Sequence, residues 1–326
     1  MTGLNTERAL YRILRELAAE HGARFDDLGQ GWILRLELGS KARYVYGYAF
    51  DLSSAATHAI VTDKAASSEV LAARGVPCVP HRVFLHPKMG AYVPHEGNWA
   101  KMLEFAAEHQ YRLVVKENMG TGGQGVLRVS NARELELAVE HLFQRTHAIA
   151  LSPFVEIGAE HRFVVLRGRV ELAYSKVRPR VVGDGTSSVL DLLARAAKDP
   201  GERTRIDRAL ASMDPPALAL LTSVPAKGVE HLLNWRHNLG QGAAPRLLEP
   251  GSATHAALTP LALKAASCVE LEFGSVDIVE TASGPLVLEA NSGVMMEFLA
   301  RDHARGYDAA KAIYRRAFRA MFDLSD

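Results

Sequence analysis

Cysteine is scarce in this chain: Cys78 and Cys268 are the only two among 326 residues, far apart and each in apolar surroundings. That argues against a disulfide framework and suits two core thiols in a reducing compartment. An excess of one charge sign is lacking too, because 38 Lys and Arg face 37 Asp and Glu for a formal net charge of +1. With no block of like charges, no global field recruits nucleic acid or an anionic membrane, so partners are sought at local sites. No run approaches the roughly 20 apolar residues of a membrane span. The opening MTGLNTERALYRILREL has neither an apolar signal core nor a small-residue cleavage site, and the expected location is cytoplasmic. The 13 histidines never form H-E-x-x-H, no Cys/His cluster exists, and G-x-S-x-G is absent. Zinc and a serine nucleophile are therefore not proposed.

What is present, 48% hydrophobic and 23% charged residues, is the composition of a globular protein with a real core. Leu10, Ile13, Leu14 and Leu17 share a helical face that stops at Gly22. WILRLEL (32 to 38) and ARYVYGYAF (42 to 50) read as strands of a small opening lobe. TDKAASSEVLAARG, from Thr62, reads as a capped helix ended by Gly75. VPCVPHRVFL follows as a strand that Pro77 and Pro80 keep at an edge. A helix around 97 to 109, the segment YRLVVKENMGTGGQGVLRVS and a helix near Asn131, with Glu134 at capping-box spacing, complete a second unit. Beyond about residue 148, strand-like HAIALSPFV and HRFVVLRGRVELAYSKV precede two surface helices closed by proline. A long helix near 254 to 272, FGSVDIVETASGPLVLEANSG and a terminal helix end the chain.

Gly120, Gly122 and Gly125 satisfy G-x-G-x-x-G after a strand, the spacing of a dinucleotide-binding turn. Such a turn leads into a helix, whereas the alternating VLRVS follows here, so the loop is expected to join two strands. Glycines still allow backbone N–H groups to converge on a phosphate, with Lys116 on the entering strand adding charge. A solvated hairpin with an exposed lysine is the alternative. No G-x-x-x-x-G-K-S/T occurs, so a P-loop is not available.

FGSVDIV and PLVLEAN are separated by ETASG, a hairpin connection. An odd-length loop centred near Ser283 sets Asp277 opposite Glu289 and Ser275 opposite Asn291. Strict alternation then puts Val287, Glu289 and Asn291 on one face, with Leu286, Leu288 and Ala290 on the other. Three oxygen donors from neighbouring strands suit Mg²⁺, with Mn²⁺ as an alternative, while a solvated polar sheet face is the plainer reading.

A lysine before a glycine-rich strand–loop–strand, followed downstream by Asp277, Glu289 and Asn291, resembles the ATP-grasp superfamily from about Asp63 to the C-terminus. VVGDGTSSVLDLL, TSVPAKG and NWRHNLGQGA look like the ATP-grasp portions of cyanophycin synthetases and bifunctional glutathione synthetases. D-Ala–D-Ala ligases are similar but more distant. The resemblance implies an α+β ATP-grasp fold with two α/β subdomains sandwiching ATP. Its expected parts are a small N-terminal lobe (1–62), a subdomain with the glycine hairpin (63–147) and a C-terminal subdomain (148–326) with a helical insertion near 186–215.

By the same resemblance, Lys64 and Lys116 hold phosphates under a hairpin bearing Gly122, Gly123 and Gly125. Ser152, Phe154 and Val155 read the adenine, and Glu160 takes the ribose. Asp277, Glu289 and Asn291 hold the metal. Arg162, in EHRFVV, matches an arginine of cyanophycin-type ligases, and Arg178, Arg180, Arg236 and Asn238 are expected to line the cleft. Ser275 departs from the D-Ala–D-Ala ligase pattern, which has an arginine two residues before the metal-binding aspartate. The implied activity is ATP-dependent joining of an amino acid or peptide carboxylate to an amine through an acyl phosphate. A phosphotransferase and a non-catalytic nucleotide-binding module are the rivals. A homodimer is the candidate assembly.

Overall fold

The computed structural model describes residues 8–92 and 99–324. The chain opens with α1 (Ala9–His21), β1 (Arg24–Asp27), β2 (Ile33–Leu38), β3 (Lys41–Tyr46) and β4 (Ala49–Phe50), then α2 (Ala55–Thr62) and α3 (Lys64–Ala73). Helix α1 buries Leu10, Ile13, Leu14 and Leu17, and Gly22 ends it with a φ of 67°. Its first turn has no local cap. Instead the Glu297 carboxylate accepts from Ala9 N at 2.7 Å and Leu10 N at 3.2 Å, which satisfies two of the N–H groups a helix start leaves open. Asp63 caps α3 by accepting from Ala66 N at 2.8 Å. Helix α2, unforeseen in the sequence, ends one residue before that cap.

The second unit comprises β5 (Arg82–Leu85), α4 (Trp99–Glu108), β6 (Leu113–Glu117), β7 (Leu127–Val129), α5 (Ala132–Phe143) and β8 (Ala148–Pro153). The start of the helix expected from residue 97 lies outside the described residues. The strands form an antiparallel sheet in the order β5-β8-β6-β7, with β5 at its edge. Leu113 and Val115 pack with Phe105, Leu135 and Leu142 from α4 and α5. Alternation therefore turns Val114 and Lys116 to the opposite face.

The rest contains β9 (Ala159–Leu166), β10 (Arg169–Val177), β11 (Arg180–Val182), α6 (Val189–Ala196), α7 (Pro200–Ala211), α8 (Pro215–Leu218), β12 (Glu230–Leu232) and β13 (Ala244–Leu247). It ends with α9 (Ala253–Cys268), β14 (Phe273–Thr281), β15 (Gly284–Asn291), α10 (Glu297–Asp302) and α11 (Gly306–Phe322). Five antiparallel strands run β13-β10-β9-β14-β15, while β11 and β12 pair separately. On one face of the large sheet, Phe163, Val165, Val276 and Ile278 pack against side chains of α2, α3 and α9. On the other, Val164, Leu166, Tyr174 and Phe273 meet α1, α11 and the first sheet. The apolar side chains of residues 8–50 thus join the core of the large sheet rather than forming one of their own. Among the described residues no helix is long and apolar enough to cross a membrane.

The β14–β15 hairpin pairs Asp277 with Glu289 and Ser275 with Asn291, as the sequence predicts, but by another route. Thr281 pairs with Gly284, so the turn has two residues, and a bulge between Asp277 and Ile278 absorbs Leu288. That bulge corrects the face assignment: Val287 turns into the apolar core beside Ala290 instead of sharing the face of Glu289.

Candidate active site

Three strands of the large sheet bring charges to one end of the face that elsewhere packs α1 and α11. Arg162 on β9 lies opposite Asp277 on β14. Its Nε donates to Oδ1 at 2.7 Å and its Nη2 to Oδ2 at 2.6 Å, a two-pronged contact that fixes both planar groups. Lys176 on β10 donates to the same Oδ2 at 2.7 Å and to Glu160. Asp277 is completely buried, and Lys176, Glu160 and Ser275 are nearly so. Burial raises the Asp277 carboxyl, but Arg162 and Lys176 overcome it and hold the group far below the usual carboxylate range. Burial wins at Glu160, which is raised despite the Lys176 ammonium. Glu289, half-buried on the edge strand, lies 4.0 Å from Arg162 and accepts from Asn291 Nδ2 at 3.3 Å.

The second sheet supplies Lys116 from its inward face. Burial pushes this ammonium down to about 8, with Lys64 adding to the effect and Glu289 opposing it. Lys64, the first residue of α3, donates to the carbonyls of Asn118 and Gly120, tying helix to hairpin. The hairpin itself leans on residues 234–242. Arg236 Nη2 donates to Val126 O at 2.7 Å and Gln241 Nε2 to Gly123 O at 3.1 Å. A Cβ on Gly123, whose φ is +73°, would sit 2.6 Å from Asn238 Cγ, so only glycine allows this approach.

At the other end of the cluster, Ser152 lies within the β8 ladder opposite Val114. Phe154 N donates to Arg112 O at 2.7 Å, and the Phe154 ring lies under the Arg128 guanidinium, 3.9 Å from its centroid, with Trp235 at 5.8 Å. Val155 is half-buried beside them. His237 is buried with its Nδ1 3.7 Å from Glu160, and burial followed by Arg178 and Lys176 pushes it down to about 3.

The structure therefore brings Lys64, Lys116, Glu160, Arg162, Asp277, Glu289 and Asn291 together, with Arg236 and Asn238 on the segment beneath the glycines. It does not bring Arg180 there: that side chain is exposed on the separate two-stranded sheet and pairs with Glu230 at 2.8 Å. Sequence reasoning missed Lys176 as a partner of Asp277 and Asn118 as the buried anchor that accepts from Ala65 N. The available signal for Lys176 was its place in AYSKV, two residues beyond Tyr174 on the same strand face.

The donor chemistry suits a hard divalent cation. Asp277 and Glu289 lie opposite each other with Asn291 two positions on, but both Asp277 oxygens are engaged by Arg162 and Lys176, so the open oxygens are those of Glu289 and of the Asn291 carbonyl, whose N–H₂ is turned to Glu289. Among the described residues no group of three or more His, Cys, Asp and Glu is placed to hold a metal ion by itself.

Two antiparallel sheets whose charged faces meet through Lys64, Lys116 and Glu289, with a glycine hairpin joining β6 and β7, have the architecture of an ATP-grasp fold. Residues 230–316 match the model of a RimK-like ATP-grasp domain. Cyanophycin synthetase of Nostoc sp. is 25% identical over 320 residues, covering 94% of this chain and 34% of that protein. The glutathione biosynthesis bifunctional protein of Lactiplantibacillus plantarum is 27% identical over 271 residues, 76% of this chain and 33% of its own. The chain thus spans about a third of the length of the curated relatives it matches. Among solved structures, a bifunctional glutathione synthetase from Pasteurella multocida superposes with a TM-score of 0.54 at 17% identity, over 96% of this chain and 45% of that one. D-alanine–D-alanine ligase from Bacillus anthracis gives 0.52 at 14% identity, over 85% and 71%.

Proposed function

We propose that this protein is an ATP-dependent ligase that joins the carboxylate of an amino acid or peptide to an amine through an acyl phosphate. The observation that carries the reading is the convergence of Lys64, Lys116, Lys176 and Arg162 around Asp277, Glu289 and Asn291, beside the glycine hairpin that Lys64 ties to α3. Such a set positions polyphosphate and stabilises charge, which is most of what phosphoryl transfer asks of a protein.

In this reading Lys64 and Lys116 hold the triphosphate, Phe154 and Val155 border the adenine, and Glu160 meets the ribose. The substrate carboxylate attacks the γ-phosphorus, ADP departs, and the amine then attacks the acyl carbonyl. Phosphate leaves, and the proton of the amine passes to a carboxylate or to water. Arg162 is our candidate for the tetrahedral oxyanion, since position 275 holds serine rather than the arginine of D-Ala–D-Ala ligases. Arg236 and Asn238 act by keeping the hairpin down, which excludes water from the acyl phosphate. A divalent cation held by Asp277, Glu289 and Asn291, Mg²⁺ or alternatively Mn²⁺, would supply charge neutralisation at the phosphoryl oxygens. Arg180 is given no step.

Release of ADP and phosphate across a panel of acids and amines tests the reading. A ligase requires both partners and leaves free phosphate. Transfer of phosphate to a hydroxyl product would make the protein a kinase, and nucleotide binding without turnover would make it a binding module.

A further inference from the structure

His81, one residue before β5, lies beside the two lysines assigned to the phosphates. On β5, Val83 pairs with Ala150, and Ala150 pairs in turn with Lys116, so Val83 and Lys116 lie in one row across the second sheet. Arg82 extends over the rings of Phe84 and Phe105 on the apolar side, and alternation therefore turns His81 toward the side of Lys116. Its backbone is pinned to α3: His81 N donates to Ser68 Oγ at 3.1 Å, and Ser68 lies one turn beyond Lys64 on that helix.

The ring is short of one partner. Nε2 is sealed from solvent with no hydrogen-bond partner among the described residues, so the ring's contact with the Val79 backbone is made by Nδ1–H. In the neutral ring Nε2 is then a buried lone pair with nothing to accept. Burial first, then the Lys116 and Lys64 ammonium groups, holds the ring well below the ordinary histidine range. Those two charges, from β6 and α3, act on the ring itself, while Glu289 on β15 and Glu160 on β9 act on Lys116, and Arg82 is turned away. A polyphosphate bound to both lysines would cancel their field at the ring and add negative charge of its own, which favours the protonated form.

We propose that binding of nucleotide phosphates at Lys64 and Lys116 protonates His81 at Nε2, so that a third cation joins the two lysines. The inference rests on the reading that these lysines hold a nucleotide's phosphates. The proton comes from solvent, forms the Nε2–H bond and returns to solvent when the nucleotide departs. A phosphate oxygen is the acceptor that this buried N–H then requires. Nucleotide affinity should accordingly rise as pH falls, because the bound state holds one more proton than the free one.

Calorimetric titration of the full chain with ADP and Mg²⁺ near pH 6.5, in two buffers of different ionisation enthalpy, counts the protons taken up on binding. Ionisation of ADP itself is common to all variants and cancels on comparison, and Lys116, at about 8, is charged in both states at that pH. The wild type is expected to take up about half a proton or more per ADP beyond His81→Gln, and its affinity advantage over that variant should fall by up to about ten-fold per pH unit from about pH 6 to 7.5. His81→Asn, which keeps an amide near the Val79 carbonyl, should behave like His81→Gln. The proposal is overturned if the wild type and both variants take up the same number of protons, or if their affinities run parallel with pH. Failure of ADP to bind the wild type at millimolar concentration would instead overturn the nucleotide-site reading, and this proposal with it.

Discussion

Along β9, β10 and β14, one face of the large sheet changes character within two residues on β9 and β10 and within four on β14. Val164 and Leu166 give way to Arg162, Tyr174 to Lys176, and Phe273 through Ser275 to Asp277. The apolar half is covered by α1, α11 and the first sheet, and its burial is stabilising at about 25 cal/mol per Å² of apolar surface. The charged half lies as deep, but there desolvation is offset only by the contacts the charges make with one another. The same strand geometry thus yields stability at one end and, at the other, a poised set of charges that is costly to maintain. Burial alone does not identify core, because Asp277 is as buried as Val276.

Removing a charge from the buried half should have the largest effect. Asp277→Ala leaves Arg162 and Lys176 without their shared acceptor, and urea unfolding should show a loss of about 3–5 kcal/mol together with loss of turnover. Phe273→Ala, two turns of the pleat away, is expected to cost about 3–4 kcal/mol by cavity formation. Its folded fraction should keep nucleotide-dependent turnover within about two-fold, which separates packing from chemistry.

Lys116 tests the electrostatic side with the opposite sign. Its fall from the ordinary lysine value of 10.5 to about 8 corresponds to a penalty of about 3 kcal/mol for holding the buried charge. Between these two values the unfolded chain binds more protons than the folded one, so stability should rise with pH across that window. Lys116→Met is therefore expected to stabilise the nucleotide-free fold at pH 7 by up to about 3 kcal/mol, an advantage that shrinks as pH rises above about 8. Nucleotide affinity should fall in the same variant. An unchanged unfolding midpoint at neutral pH would remove Lys116 from the strained set. The smallest stability change belongs to Glu289→Gln, within about 1 kcal/mol, because this side chain is half-exposed and only loosely paired. Its turnover should nevertheless drop by about 10²–10³.

Much of this was legible in residue order. The Asp277–Glu289 pairing followed from the period of two and the position of the turn, and the glycine loop was recognised as a hairpin because VLRVS continues as a strand. The face of Val287 was not, since a bulge is a local rearrangement that alternation cannot foresee. Lys176 escaped because its partners, Glu160 and Asp277, are 16 and 101 residues away. Nor could the sequence reveal that Glu297 caps α1, a contact spanning 288 residues. Short-range pattern fixes strands and caps, whereas the company a buried charge keeps is decided by the order of strands in the sheet.

In the proposed function the charged half of this face activates a carboxylate by phosphorylation. Incubating the protein with ATP, an amine and a substrate whose carboxylate carries ¹⁸O, then weighing the released phosphate, tests it directly. The account predicts that each amide bond formed transfers one labelled oxygen to phosphate; amide formation with the label absent from phosphate would contradict it.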